Sequence, residues 1–346
     1  MEKIKIGNKS VGLGQPVFII AEAGVNHNGK LKLAYKLVDA AVWAGADAIK
    51  FQTFKAEDVV TSFGKMAEYQ KRNIGKKESQ LEMLKKLELP DNFYKPLIKY
   101  CQKKKIMFLS TPHGGFKSVD LLQKLKVHAF KFGSGDLTNL PVLQYAAKFG
   151  KTMILGTGMA TLKEVRNAIE IIKSVGNNQI IVLHCTTNYP CPFEEVNLRA
   201  MRTMMKKLNV LVGYSDHTNG IQVPIMATTL GASLIEKHFT LDKSMSGPDH
   251  KASLEPNELK EMIDSIRKVK LVMGSEIKRS NKSEMSMMKD VRKSIIAIAD
   301  INKGDVLTEK NMAIKRPGTG LSPSFWNKIL GKIAKRDFKN GELIKI

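Results

Sequence analysis

The chain has 346 residues, 43% of them hydrophobic, and its 56 Lys and Arg residues against 33 Asp and Glu residues give a formal net charge of +23. This length is enough for one large hydrophobic core and one small module. No apolar run approaches the length of a membrane span, residues 1–10 lack the apolar stretch of a signal peptide, and the three cysteines form neither a disulfide framework nor a metal knuckle. We therefore expect a cytoplasmic protein.

The positive charge is spread along the chain and is not gathered into an arm or stripe, and no aromatic-rich platform accompanies it. Nucleic-acid binding is therefore disfavoured, and anionic substrates or a generally basic host proteome are better explanations of the charge.

Eight short apolar runs alternate with amphipathic helical patterns, among them Leu31–Trp43, Leu162–Ser174 and Pro256–Val272. Near-continuous apolar strands that alternate with helices indicate a parallel sheet. Eight such units in about 275 residues fit a (β/α)₈ TIM barrel better than an open doubly wound sheet, for which six strands are usual. The predicted strands are Val17–Glu22, Ala48–Gln52, Ile106–Thr111, Ala129–Gly133, Thr152–Thr157, Ile180–Cys185, Val210–Ser215 and Ser233–His238.

One connection, from Thr53 to Leu89, is oversized and is predicted to fold over the barrel mouth. We assign residues 1–275 to the barrel and the polar, unpatterned segment 276–290 to a linker. Residues 291–346 have short apolar runs and glycine turns, with one helix near Ser322–Leu330. This pattern predicts a compact β-rich module, small enough to gain stability by docking on another surface.

Two strands end at histidines. His217 follows the run from Val210, and His238 ends the next strand, with Asp216 and Glu236 beside them. The carboxyl ends of neighbouring parallel strands lie side by side, so two imidazoles meet there and suit a divalent metal with open positions for substrate. The alternative is a pair of buried histidines whose ring nitrogens are hydrogen-bonded to carboxylates and bind no metal.

Two lysines, Lys50 and Lys131, lie within predicted strands, with hydroxyl groups from Thr111, Ser134 and Ser215 at nearby strand ends. An ammonium group inside a barrel is costly unless an anion meets it. The pattern indicates a bound phosphate, carboxylate or both. The alternative is that the two lysines form internal ion pairs with Glu22 and Asp136.

At these strand ends the sequence resembles the sialic acid synthases, also called N-acetylneuraminate synthases. The matching segments are FIIAEAGVNHNG, AIKFQTF, STP, KFGSGDLTNLP, GTGMAT, LHCTTNYP, GYSDHT and EKHFTLDKSMSGPDHKAS, and VRKSIIAIADINKGDVLTEKNMAIKRPGTG resembles their antifreeze-like (SAF, β-clip) domain. The resemblance implies condensation of phosphoenolpyruvate with N-acetylmannosamine to give N-acetylneuraminate and phosphate, with C–O cleavage. It also implies a divalent metal, Mn²⁺ foremost with Mg²⁺ or Co²⁺ as alternatives, and a domain-swapped homodimer.

Position by position, the resemblance implies that His217 and His238 are the metal ligands and that Glu22 is the acid–base residue. Asp136 stands where many members have Glu, and Gly156 and Thr187 stand where some members have Ser and Asn. We expect these differences to affect the fine placement of phosphoenolpyruvate. Arg316 is expected to reach the neighbouring subunit's barrel. The implied phosphoenolpyruvate contacts are Lys50, Thr111, Lys131, Ser134 and Ser215, the sugar-side residues are Glu22, Gln52, Tyr189 and Asp249, and Asp136 and Thr187 complete the substrate-binding set.

Other functions remain open. A legionaminate synthase, acting on 2,4-diacetamido-2,4,6-trideoxymannose, is the nearest alternative, whereas the segment GPDHKAS disfavours a pseudaminate synthase. The antifreeze-like module also allows an ice-binding protein, but that class has no use for two buried lysines and paired histidines.

Overall fold

The computed structural model describes residues 3–74 and 78–345. The chain forms two compact units, Met1–Gly274 and Ser275–Ile346. Within the described ranges, we find no helix that is both long and apolar enough to cross a membrane.

The first unit begins with an antiparallel hairpin, β1 (Lys3–Ile6) and β2 (Lys9–Gly12), which was not predicted from the sequence. Its apolar side chains Ile4, Ile6 and Val11 are buried and pack in one cluster with lumen residues of the barrel. The hairpin thus closes the N-terminal end of the barrel.

Eight parallel strands follow and form a single sheet whose first and last strands in the pairing order also lie in contact. The predicted TIM barrel is confirmed, and each strand lies within two residues of its predicted bounds. The strands are β3 (Phe18–Gly24), β4 (Ala48–Thr53), β5 (Met107–Pro112), β6 (Ala129–Phe132), β7 (Thr152–Gly156), β8 (Ile180–His184), β9 (Leu211–Asp216) and β10 (Leu234–His238).

Most of the helices cover the outside of the barrel and bury apolar side chains against the sheet, whereas three short helices lie in the described part of the long connection from Thr53 to Leu89. In the helix Leu162–Lys173, for example, the buried residues recur three and four positions apart, and a capping box of Thr161 and Glu164 starts the first turn. The helices are α1 (Leu31–Ala44), α2 (Ala56–Val59), α3 (Glu68–Ile74), α4 (Gln80–Leu87), α5 (Asp91–Lys103), α6 (Gly115–Lys124), α7 (Leu140–Ala147), α8 (Leu162–Lys173), α9 (Arg199–Leu208), α10 (Gln222–Thr229) and α11 (Pro256–Met273).

The second unit contains α12 (Lys282–Val291), the antiparallel pair β11 (Ser294–Ala297) and β12 (Met312–Lys315), and the short helix α13 (Trp326–Ile329). Its small core includes side chains from both strands and from the chain's last turns. The expectation of an unpatterned segment over 276–290 is wrong for most of its length, because α12 occupies it. Asn281 and Glu284 form a capping box that starts this helix.

Candidate active site

A cavity of about 210 Å³ opens at the carboxyl ends of the barrel strands. Parallel barrels place their active sites at this end, because the strand ends and the loops after them converge there. Twelve of the fourteen predicted site residues line the cavity, namely Glu22, Lys50, Gln52, Thr111, Lys131, Ser134, Thr187, Tyr189, Ser215, His217, His238 and Asp249.

The long connection after β4 forms part of the cavity wall, as we predicted. Its helices contribute the amides Gln70 and Gln80 together with an apolar group that includes Met83, Leu84 and Leu87. The same apolar side chains pack against Val25 in a separate small core. The mouth of the barrel is therefore covered by this chain's own β4–α5 connection.

Two lysines and two carboxylates form a buried network on the cavity floor. Lys50 Nζ lies 2.6 Å from Glu22 Oε2 and 3.7 Å from Glu236 Oε2, and it donates a hydrogen bond to Thr111 Oγ1 at 3.1 Å. Lys131 Nζ lies 3.0 Å from Glu236 Oε1. The four charged side chains are all less than 10% exposed. Each ammonium is thus compensated within the barrel, as burial requires.

Glu236 was not among the predicted substrate-binding or catalytic residues, yet it joins both lysines and accepts a hydrogen bond from Ser215 Oγ at 3.0 Å. The signal for it was present in the sequence. Side chains alternate along a strand, so if His238 faces the lumen, Glu236 does so as well.

The alternative of two internal ion pairs is correct for Lys50 with Glu22 and wrong for Lys131 with Asp136. Asp136 does not line the cavity. Its Oδ2 lies 3.2 Å from Nδ1 of His113, and His113 does line the cavity. The physical reason is that Asp136 lies in a 3-10 turn, Ser134–Asp136, beyond the end of β6. The alternation of the strand does not extend to it.

The two carboxylates differ in their proton affinity. Burial raises the pKa of Glu22 to about 7, against the opposing effect of Lys50. Burial acts in the same direction on Glu236, but Lys131 and Lys50 together outweigh it and lower the pKa of Glu236 to about 2. A carboxyl with a pKa near neutrality suits proton transfer, whereas one held ionised suits charge compensation.

A β-bulge between Glu22 and Gly24 shifts the register of β3 against β4, so that Glu22 pairs with Lys50 and Gly24 with Phe51. Gly24 has a φ of +52°, and a Cβ there would lie 3.2 Å from Glu22 Oε1. A glycine at this position therefore allows the backbone to turn beside the carboxylate without crowding it.

The rings of His217 and His238 lie beside each other in the cavity, with centroids 5.6 Å apart. His217 Nδ1 donates a hydrogen bond to the carbonyl oxygen of Thr186 at 2.6 Å, which leaves Nε2 as the nitrogen that can bind a metal. The Tyr189 ring packs on His217, with centroids 4.1 Å apart.

These histidines fit a metal site with open positions. His238 Nδ1 is buried with no hydrogen-bond partner in the described ranges, and Oδ2 of Asp249 lies 4.0 Å from it. Burial lowers the pKa of His217 to about 4, so the ring is neutral at pH 7, as metal binding requires. In those same ranges no group of three or more His, Cys, Asp or Glu side chains is arranged around one ion. A divalent metal bound by these two histidines would have two imidazole ligands from the protein, and its remaining positions would be open for water or substrate.

Another part of the cavity wall carries hydroxyl groups. Ser134 Oγ accepts a hydrogen bond from the Gly158 amide at 3.0 Å and lies 3.2 Å from Cys185 Sγ. A Cβ on Gly158 would lie 2.2 Å from Thr187 Oγ1, so this position must be glycine for the two hydroxyls to remain in place. Thr187 Oγ1 is buried and has no hydrogen-bond partner in the part of the chain that the structure describes. Such groups suit an anionic ligand.

Asp249 lies in the loop after β10, and a second hydrogen-bond network holds that loop. His250 bridges Thr240 Oγ1 at 2.7 Å and Asn28 Oδ1 at 3.3 Å, and Asn73 of α3 donates to the carbonyl oxygen of Pro248 at 2.7 Å. Burial raises the pKa of Asp249 to about 6. The β4–α5 connection and this loop are therefore joined at the rim of the cavity.

Comparison with known proteins agrees with this arrangement. A model described as the NeuB family matches residues 37–278, and one described as the SAF domain matches residues 292–346. The chain belongs to the NeuB family. It is 50% identical over 329 residues to the N,N'-diacetyllegionaminic acid synthase of Campylobacter jejuni, covering 94% of this chain and 98% of that protein. It is 36% identical over 307 residues to the human N-acetylneuraminate-9-phosphate synthase, covering 88% and 84%.

Solved structures of related proteins share the fold. The N-acetylneuraminic acid synthetase of Leptospira borgpetersenii, in complex with citrate, has a TM-score of 0.72 at 33% identity and covers 83% of this chain and 95% of that one. The spore coat polysaccharide biosynthesis protein SpsE of Bacillus subtilis has a TM-score of 0.69 at 38% identity, covering 99% and 98%. The resemblance drawn from the strand-end motifs, including the SAF domain, is confirmed.

Gly156, the last residue of β7, lies beside Ser134. A Cβ on Gly156 would lie 3.2 Å from both the amide nitrogen and Oγ of Ser134. A serine at this position would therefore crowd Ser134, and Gly156 leaves that hydroxyl more room.

Arg316 lies in the SAF domain, just after β12, and its side chain is exposed. Its Nε donates a hydrogen bond to the carbonyl oxygen of Val291 at 3.1 Å. Arg316 and Asp136 are the two predicted site residues that do not line the cavity, and the role of Arg316 remains a prediction.

Proposed function

We propose that this protein condenses phosphoenolpyruvate with the open-chain aldehyde of an N-acetylated mannose-type sugar, giving a nine-carbon sugar acid and inorganic phosphate. The observation that carries the proposal is the pair of buried lysines, Lys50 and Lys131, beside the paired histidines in one cavity. Fixed cations suit the phosphate and carboxylate of phosphoenolpyruvate, and two imidazoles suit a divalent metal.

In this mechanism, C3 of phosphoenolpyruvate forms a bond to the aldehyde carbon of the sugar, and positive charge develops at C2. Water then adds to C2, and the C–O bond to phosphate breaks, so that phosphate leaves with the bridging oxygen. Lys50 and Lys131 hold the anion against the aldehyde, which lowers the entropic cost of the encounter. Mn²⁺, when bound by His217 and His238, supplies Lewis-acid polarisation of the aldehyde oxygen.

Glu22 is the acid–base residue in this proposal. Its carboxyl group lies on the cavity floor beside Lys50 and is 1% exposed. It can accept a proton from the attacking water or donate one to the new sugar oxygen.

Two sugars are candidates. N-acetylmannosamine, which would give N-acetylneuraminate, follows from the strand-end motifs. The 50% identity to an N,N'-diacetyllegionaminic acid synthase over nearly its whole length favours 2,4-diacetamido-2,4,6-trideoxymannose as the second.

The test is phosphate release from phosphoenolpyruvate across a panel of mannosamine derivatives. With phosphoenolpyruvate labelled by ¹⁸O at the bridging oxygen, we expect the label in phosphate. Lys131→Met should abolish release, whereas Lys32→Met, at an exposed position of α1, should not change it. Absence of phosphate release with every sugar, or label retained in the organic product, would refute the proposed reaction.

A further inference from the structure

A second buried ion pair lies directly behind the two histidines. Asp216 and Lys237 are opposite each other in the pairing of β9 with β10, and each immediately precedes one of the histidines in the chain. Their side chains are both 0% exposed. Neither residue lines the cavity, so neither can touch a substrate bound in it.

The alternation of side chains explains why this pair lies behind the cavity wall. Ser215 and Glu236, one position earlier on each strand, point into the lumen and share a hydrogen bond of 3.0 Å. Asp216 and Lys237 therefore point to the opposite face of the sheet, beneath the helices. The next residue in each segment of the chain, His217 just after β9 or His238 at the end of β10, faces the cavity again.

The contacts of this pair surround the backbone of His217. The ammonium of Lys237 donates to Asp216 Oδ2 and also to the carbonyl oxygen of Thr218. Asp216 Oδ1 accepts from the hydroxyl of Tyr214 at 3.0 Å and from the amide of Thr218 at 3.2 Å. The side chain of Lys237, the residue before His238, thus binds both the residue before His217 and the residue after it.

Stability alone is a weak explanation for such a pair. Desolvating two charges is costly, and apolar residues of similar size often replace a buried ion pair without loss of stability. What apolar residues cannot supply is a directional tie between two specific backbone positions. The hydrogen bonds that His217 itself makes run to the loop after β8, from Nδ1 to the Thr186 carbonyl oxygen and from the Cys191 amide to the His217 carbonyl oxygen at 2.7 Å.

We propose that Asp216 and Lys237 are positioning residues, which fix the separation of His217 and His238 and thereby preorganise the two-histidine metal site. This inference rests on the proposed metal binding by the two histidines. Groups behind metal ligands typically change metal affinity by roughly 10- to 100-fold when they are removed.

The experiment compares Lys237→Met with the double variant Asp216→Asn/Lys237→Met. The Mn²⁺ dissociation constant is measured without substrates, by electron paramagnetic resonance of free Mn²⁺, and the Tm of the metal-free protein is measured in parallel. Lys237→Met leaves a buried carboxylate unpaired, so both Tm and Mn²⁺ affinity should fall. The double variant removes both charges, so its Tm should recover, while its Mn²⁺ affinity should stay about 10- to 100-fold weaker than that of the unaltered protein.

Arg267→Met is the matched control. Arg267 pairs with Asp47 at 2.7 Å, where the barrel strands begin, at the end opposite the histidines. Its loss should lower Tm and leave Mn²⁺ affinity unchanged.

The inference is overturned if the double variant binds Mn²⁺ as tightly as the unaltered protein, or if Arg267→Met weakens Mn²⁺ binding as much as Lys237→Met does. Either result would mean that the Asp216–Lys237 pair stabilises the fold and does not position the histidines. If the unaltered protein itself binds no Mn²⁺, the proposed metal site fails and this inference fails with it.

Discussion

The carboxylate of Glu236 and the ammonium of Lys131 form a buried ion pair, with 3.0 Å between Oε1 and Nζ. Lys50 lies on the other side of the same carboxylate, 3.7 Å from Oε2. Without substrate, Glu236 therefore neutralises part of the positive charge of the two lysines to which an anionic substrate would bind. An anion that enters the cavity must share the two lysines with this carboxylate.

Glu236→Gln should destabilise the ligand-free protein and increase its response to phosphoenolpyruvate. Removal of one partner from a buried pair costs about 3–5 kcal/mol of unfolding free energy. Because the substrate's negative charge replaces the missing one, phosphoenolpyruvate should raise the Tm of this variant more than that of the unaltered protein. Urea unfolding and thermal shift measurements test the two effects.

Glu57→Gln provides the control for that substitution, because Glu57 pairs with Lys85 at an exposed position on α2. Its unfolding and its response to phosphoenolpyruvate should match those of the unaltered protein. An equal or smaller thermal shift for Glu236→Gln would show that Glu236 does not compete with the substrate anion.

The paired histidines predict metal dependence. A chelator should abolish turnover and Mn²⁺ should restore it, and His217→Ala and His238→Ala should each lose bound metal while keeping the circular dichroism spectrum of the folded barrel. His128→Ala, at an exposed position, should keep its metal. Full activity in a metal-free preparation would exclude a catalytic role for the ion.

Glu22→Gln keeps the size and hydrogen-bonding capacity of the side chain but removes its ability to carry a proton. We expect kcat to fall by about 10²- to 10⁴-fold, with little change in the KM for phosphoenolpyruvate. Steady-state kinetics with both substrates varied measure the two parameters. Turnover close to that of the unaltered protein would remove Glu22 from the mechanism.

Asp249 should act differently, because it lies in the loop after β10 and not on the cavity floor. For Asp249→Asn we expect a higher KM for the sugar and a smaller change in kcat, measured at saturating phosphoenolpyruvate. A loss confined to kcat would contradict a role in sugar binding.

The eight barrel strands could be predicted because each is an apolar run whose length and spacing fit a buried parallel strand. The hairpin of β1 and β2 was missed because its strands have only four residues each, although the alternation of lysine and isoleucine in β1 is itself a strand signal. The helix α12 was missed for a related reason. Its apolar residues are three methionines and one valine among six polar residues, none of them is buried, and a capping box signals its start.

The candidate site was predictable where a residue lies on a strand and less so beyond it. Lys50 and Lys131 are strand residues, and the structure places both in the cavity, as alternation requires. Asp136 lies one turn past β6, where alternation no longer fixes direction, and it faces His113. The choice of ion-pair partner for Lys131 depends on which strands face each other across the barrel lumen. That is a property of the closed sheet, which brings Glu236 of β10 to Lys131 of β6.

The last prediction concerns Arg316 and the domain-swapped homodimer. Arg316 lies at a turn after β12, where its guanidinium group is exposed, and a fixed fork of donors suits a hydroxylated or acetamido sugar. The family resemblance implies that this arginine serves the barrel of the partner subunit. Arg316→Ala and His217→Ala should then each be inactive as homodimers, for different reasons.

Mixing these two inactive variants tests the swap. In a heterodimer, the barrel that retains His217 receives Arg316 from the other subunit, so one of the two sites is complete. After dissociation and random reassociation of equal amounts, about one quarter of the activity of the unaltered protein should return. Mass spectrometry of the intact dimers should show the heterodimer at the same time. If heterodimers form and the mixture stays inactive, Arg316 acts within its own subunit or has no part in the reaction.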